Sequence, residues 1–94
     1  MAEHAILFEV RAVEPTPNPN AMKFVLDRPV CEERLSFFNA ESAVAHPLAN
    51  RLFSITGVTS LLLLGDFITV SKTPAARWPV IRKEVVRVLS NPPA

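Results

Sequence analysis

Residues 14–20 read Glu-Pro-Thr-Pro-Asn-Pro-Asn, and a proline at every second position keeps this stretch out of any helix. Each ring locks its own φ and removes a backbone donor. Each also pushes the residue before it, here Glu14, Thr16 and Asn18, toward extended or turn conformations. The segment is a stiff connector, and the elements on either side must be arranged around it. Nine prolines against two glycines imply that several other segments are likewise held extended or turned outside regular structure.

Before the connector, Ile6, Phe8, Val10 and Ala12 alternate with Leu7, Glu9, Arg11 and Val13, the period-two pattern of a strand with one buried face. After it, Met22, Phe24 and Leu26 alternate with Lys23, Val25 and Asp27, which predicts a second strand with Lys23 turned away from the core. A connection this short predicts that the two strands are antiparallel neighbours. Residues 28–40 have no clean period; Pro29 argues against continuing the strand, and Leu35, Phe37 and Phe38 fit either a short extended piece or a packed loop.

Pro47 suits the first turn of a helix, and Leu48, Leu52 and Ile55 follow at i, i+4 and i+7, with Gly57 as the C-terminal cap. A start as early as Ser42 would place Pro47 in the helix interior, at about 3 kcal/mol. Two further strands, Val58–Leu64 and Phe67–Ser71, flank Gly65-Asp66, a two-residue hairpin signature. Trp78, Ile81, Val85 and Val88 then recur at helical spacing with Pro79 in the first turn, and residues 90–94 form a breaker tail. The order ββαββα predicts an α+β, two-layer domain: a four-stranded, mostly antiparallel sheet with two helices on one face. The whole chain, residues 1–94, reads as one domain with its core in 5–89.

Composition narrows the function classes. The formal charge is +1 with both signs mixed along the chain, unlike the dense positive field that phosphate backbones require, so no nucleic-acid partner is expected. No run of eighteen apolar residues exists and the start has no signal-peptide pattern, so a cytoplasmic, membrane-free monomer is expected. Metal chemistry has few candidates: His4, His46, the lone Cys31 and scattered carboxylates show no zinc or iron spacing. Cys31 is the one metal-ligand candidate, as a thiolate shared between two chains, beside its plainer reading as a structural cysteine. No Ser–His or Cys–His arrangement and no phosphate loop is present, which predicts a non-enzyme without catalytic or cofactor-binding residues. His46 reads as the entry to a helix. Arg77, Arg82, Lys83 and Arg87 read as a solvated helix face, with an anionic partner as the alternative. Asn18 and Asn20 shape the connector through their own backbone, and with Thr16 and Lys23 they are the candidate partner-binding residues.

The run Glu14-Pro15-Thr16-Pro17-Asn18-Pro19-Asn20-Ala21-Met22-Lys23-Phe24 resembles the signature of the Nfu/NifU-type iron–sulfur scaffold N-terminal domain. The resemblance continues through His46-Pro47-Leu48-Ala49, Leu52-Phe53, Ile55, Gly57-Val58, residues 65–70, Lys72 and Trp78, and is weakest over residues 31–45. It implies an α/β two-layer domain. In two-domain members of the family, a further domain carries a Cys-x-x-Cys pair, and two such pairs hold a cluster for delivery to client enzymes. This sequence has one cysteine and no such pair, so no cluster ligand carries over, and the expectation is a stand-alone N-terminal domain. What the resemblance implies is an accessory role: contact with client proteins or iron–sulfur assembly factors, with no cofactor held stably by this chain alone. Two alternatives stay open, iron or cluster binding by a dimer through Cys31, and a general protein or peptide adaptor unrelated to iron.

Overall fold

The computed structural model describes residues 8–90. In chain order the elements are β1 (Val10–Pro15), β2 (Ala21–Leu26), β3 (Leu35–Phe37), a 3-10 turn (Glu41–Ala43), α1 (Pro47–Phe53), β4 (Val58–Leu64), β5 (Phe67–Lys72) and α2 (Trp78–Ser90). The strands form a five-stranded sheet in the order β1-β2-β5-β4-β3, with every neighbouring pair antiparallel. The α+β class agrees with the sequence reading. The strand count does not, because residues 35–37 form a fifth strand on the β4 edge, and the sheet is wholly rather than mostly antiparallel. Three residues are too few to display a period. Only pairing with Leu61–Leu63 makes them a strand.

Register explains the core. Val13, Phe24, Ile68, Leu63 and Leu35 are successive cross-strand partners and form one row across all five strands. A parallel row runs through Met22, Val70, Leu61 and Phe37. Both rows lie on the face that α1 covers with Ala49 and Leu52, and α2 with Ile81, Val85, Val88 and Leu89. Burial of each large aliphatic or aromatic side chain there contributes about 1.5–3 kcal/mol. The opposite face carries Glu14, Lys23, Thr69, Leu62 and Ser36, none of them buried.

Two bulges set the phase of the sheet. The register of β1 shifts between Val10 and Ala12, leaving Arg11 as the extra residue, and that of β4 shifts between Val58 and Ser60 around Thr59. In each case two apolar residues three apart, Val10 with Val13 and Val58 with Leu61, both reach the core side. The simple alternation expected from Ile6 to Val13 therefore breaks at Arg11, and Val13 rather than Ala12 points inward. Residues 6 and 7 of that expected strand, His4 and the tail beyond Ser90 lie outside the described residues. Glu14 and Pro15, expected in the connector, complete β1 instead. The extended conformation that prolines impose is compatible with an edge strand, where a missing N–H costs no ladder bond.

The helices begin as local chemistry dictates. His46 caps α1, its Nδ1 accepting from the Ala49 N–H at 3.2 Å, and Pro47 follows at the first helical position. The residues before it form a separate 3-10 turn, so Pro47 never sits inside a helix. Helix α1 ends at Phe53 with Ser54 as its cap, so Ile55 lies beyond the helix and Gly57 is not the cap the sequence predicts; Gly57 instead adopts φ +100° in the turn before β4, a conformation L side chains rarely reach.

Candidate protein-interaction surface

The connector between β1 and β2 is a hydrogen-bonded corner. The Asn18 N–H donates to Thr16 Oγ1 at 3.1 Å, and the Thr16 hydroxyl has two carbonyl acceptors, Asn18 O and Ala21 O, each at 2.9 Å. Asn18 Oδ1 accepts from the Asn20 N–H at 2.9 Å, a side chain replacing a turn of backbone, and Ala21 N closes onto Asn18 O at 3.0 Å. Proline rings and two local side-chain acceptors, Thr16 Oγ1 and Asn18 Oδ1, thus hold residues 16–20 in one shape, while Pro17, Asn18 and Pro19 remain exposed.

That corner is tied to elements far along the chain. Asn20 Oδ1 accepts from Lys72 Nζ at 3.1 Å, and Asn20 O from the Lys72 N–H at 2.8 Å. Lys72 also donates to Thr73 O at 3.3 Å and lies 5.5 Å from the centroid of the Trp78 ring. Trp78 Nε1 in turn donates to Pro19 O at 3.0 Å. The end of β5, the start of α2 and the connector therefore form one knot around a lysine only 9% exposed. The sequence reading missed Lys72 as part of this site, although a signal was present: it shares the inward phase of Ile68 and Val70, and an inward lysine needs acceptors.

Of the four candidate partner-binding residues, Thr16, Asn18 and Asn20 are brought together and Lys23 is set apart. Lys23 stands on the open sheet face, its Nζ 4.3 Å from the Phe67 ring centroid and 3.8 Å from Glu14 Oε1. The open face continues into a shallow depression lined by Arg34, Ser36, Phe38, Leu62, Thr69 and Ser71, where Phe38 is 78% exposed.

Cys31 is half-buried and packs at the margin of the core. No three His, Cys, Asp or Glu side chains converge among the described residues. A cluster held by four thiolates requires a donor set that one cysteine does not provide, so the residues of this chain do not fit a cluster as an internal ligand. His46 is occupied as a helix cap and stacks obliquely on Phe37, with ring centroids 5.4 Å apart. The basic stripe of α2 is divided. Arg87 Nη2 and Nε bind Glu84 Oε1 at 2.7 and 3.1 Å on one flank, while Arg82 and Lys83 line a groove on the other.

Comparison with known proteins agrees with this architecture. Residues 10–92 match the family described as the N-terminal part of scaffold protein Nfu/NifU. The chain is 36% identical over 90 residues to the human mitochondrial NFU1 iron–sulfur cluster scaffold homolog, covering 94% of this chain and 35% of that protein. It is 34% identical over 79 residues to the mitochondrial NifU-like protein 5 of Arabidopsis thaliana, covering 83% and 29%. The solution structure of a NifU-like protein from Saccharomyces cerevisiae superposes with a TM-score of 0.74 at 27% identity, over 95% of this chain and 81% of that one. This chain thus spans about a third of the length of the human and plant relatives. Among the described residues no helix is long and apolar enough to cross a membrane.

Proposed function

The chain belongs to the Nfu/NifU N-terminal scaffold family, and on that premise we propose that it is a non-catalytic binding module serving iron–sulfur cluster assembly or delivery. The cluster is the cargo of the system and this chain is not its ligand set. The observation that carries the reading is the family signature at Thr16–Phe24, whose residues 16–20 form a hydrogen-bonded corner exposed at Pro17, Asn18 and Pro19, in a chain with a single thiol. A preformed surface of this kind binds with little ordering entropy, the property a docking module needs. The exposed parts of Thr16, Asn18 and Asn20, with Lys23 around the sheet edge, are the proposed contact residues. The partners are client proteins or assembly factors. We place the module in the cytoplasm as a monomer, consistent with its lone free cysteine.

The test is photo-crosslinking in cells from a benzophenone side chain placed at Asn18 or at Lys23, with Asn50 on α1 as the control position. Recovery of iron–sulfur assembly factors or cluster enzymes from the first two positions and not the third is expected. A crosslinked set containing neither class at either position overturns the reading. Alongside it, anaerobic reconstitution should leave both the native protein and Cys31→Ser free of iron after desalting. Stable iron that Cys31→Ser loses would move the working hypothesis to a cluster shared through that thiol.

A further inference from the structure

Helix α2 presents three distinct flanks. Ile81, Val85, Val88 and Leu89 enter the core. Val80, Glu84 and Arg87 line a groove against the end of α1, where the Glu84–Arg87 ion pair is internally neutral. Pro79, Arg82, Lys83 and Val86, at i, i+3, i+4 and i+7, form the third flank, and with Val13 of the edge strand β1 they line an open groove of about 390 Å³.

The charge in that third groove is one-sided. Neither Arg82 nor Lys83 forms an ion pair among the described residues. The acid of β1 nearest in sequence to Val13, Glu14, belongs to the opposite face of the sheet, where it meets Lys23 at 3.8 Å. The floor, Val13, Pro79 and Val86, is apolar, and Val86 is 39% exposed, a branched aliphatic side chain left partly in water. Two cations without an ion pair among the described residues, next to apolar Val13, Pro79 and Val86 beside a sheet edge, complement a ligand that is both acidic and apolar.

The geometry points to this groove as a docking site for an extended acidic segment of a protein partner, whose carboxylates meet Arg82 and Lys83 while its apolar side chains cover Val13, Pro79 and Val86. The bulge at Arg11 and the ring of Pro15 leave only a short stretch of β1 free to pair by strand addition. Charge and the apolar floor therefore carry recognition, with a brief ladder fixing direction. An open groove between a helix and a sheet edge, with two cations beside a small apolar patch, suits an extended peptide, whereas a bilayer is held by a broad apolar helix face inserted among the headgroups. Two cations on a chain of net charge +1 are too few for a phosphate backbone. This inference stands apart from the iron–sulfur reading, since its ligand is defined by chemistry alone.

The experiment is an amide-shift titration of the isotope-labelled full chain at low salt. The probes are a short peptide of alternating Glu and Val, the matching Lys–Val peptide, and vesicles of phosphatidylglycerol. Saturable shifts confined to Val13, Arg82, Lys83, Val86 and their neighbours are expected with the Glu–Val peptide alone. Affinity should fall about tenfold or more in the double variant Arg82→Glu, Lys83→Glu, whose exposed positions leave the core spectrum unchanged, and it should weaken with added salt. The proposal is overturned if the acidic peptide gives no saturable shift, shifts another surface, or is matched by the Lys–Val peptide. Equally, vesicles that engage these residues when the peptide does not would assign the groove to membranes. The probes contain no iron–sulfur protein, so failure here leaves the crosslinking test of the module's role untouched.

Discussion

Lys72 meets Asn20 twice: its backbone N–H donates to the Asn20 carbonyl at 2.8 Å and its ammonium to the Asn20 side-chain oxygen at 3.1 Å. One residue thereby joins the end of β5 to the turn before β2, and its aliphatic stem covers the sheet end while its charge is satisfied by neutral acceptors.

Deleting the acceptor should therefore be worse than deleting the charge. Asn20→Ala leaves a largely buried ammonium with only the Thr73 carbonyl and the Trp78 face, and is expected to destabilise the fold by about 1–3 kcal/mol. Lys72→Met leaves two neutral oxygens without that donor, one on half-buried Asn20 and one on exposed Thr73, and should lose less. Urea unfolding of both variants checks the order, and a larger loss for Lys72→Met would contradict it.

Trp78 is the only tryptophan, so its fluorescence reports on the knot directly. Trp78→Phe keeps most of the ring but removes the donor to the Pro19 carbonyl, and about 1 kcal/mol of stability should go with it. In the native protein, Asn20→Ala should shift the Trp78 emission, because the indole shares Lys72 and the connector with Asn20. An unchanged spectrum would mean that the indole does not sense the corner.

The two glycines should respond unequally to alanine. A Cβ on Gly57 would stand 2.7 Å from the Ala76 Cβ at φ +100°, combining a steric clash with an unfavourable backbone. Overpacking of this kind costs about 1–3 kcal/mol before the backbone strain is added. Gly65, at φ +58° with nothing within 4 Å, carries only the left-handed penalty of about 1–2 kcal/mol. Thermal unfolding should rank Gly57→Ala below Gly65→Ala.

Asp27 sets part of the acid sensitivity. The Glu9 N–H, donating to its carboxylate at 2.9 Å, holds its pKa below the ordinary aspartate value, with Arg28 adding to the effect. A depressed folded-state pKa means that the stabilisation is present above the unfolded pKa and is lost as pH falls through the folded value. Asp27→Asn should therefore lower stability at neutral pH and flatten its decline on acidification. Denaturation midpoints compared across the acid range would refute this if the two proteins ran parallel.

Much of the fold was legible because its signals are local. The hairpin at Gly65-Asp66, the helix entry at His46-Pro47 and the apolar repeat from Trp78 to Val88 each rest on turn chemistry or periodicity within a few residues. Strand β3 was ambiguous because Leu35-Ser36-Phe37 becomes a strand only when β4 supplies the partner. The bulges at Arg11 and Thr59 were hidden for a related reason, since a bulge is a mismatch between two strands and not a property of either. The connector's prolines marked Thr16, Asn18 and Asn20 as a shaped turn, and the structure shows how the side chains shape it. It also separates Lys23 from them, on the far face of β2.

By itself, then, the sequence determined the α+β class, the places where the chain turns, and a stiff corner at residues 14–20, because φ restriction and side-chain period act over one or two turns of chain. Tertiary structure alone decided that Lys72 and Trp78 would secure that corner, and that Arg82 and Lys83 would face an edge-strand groove. The Trp78–Pro19 bond alone joins residues 59 positions apart. Contacts at such separation exist only once the hydrophobic face of the sheet has been covered by the helices, and no local propensity encodes where that packing brings them.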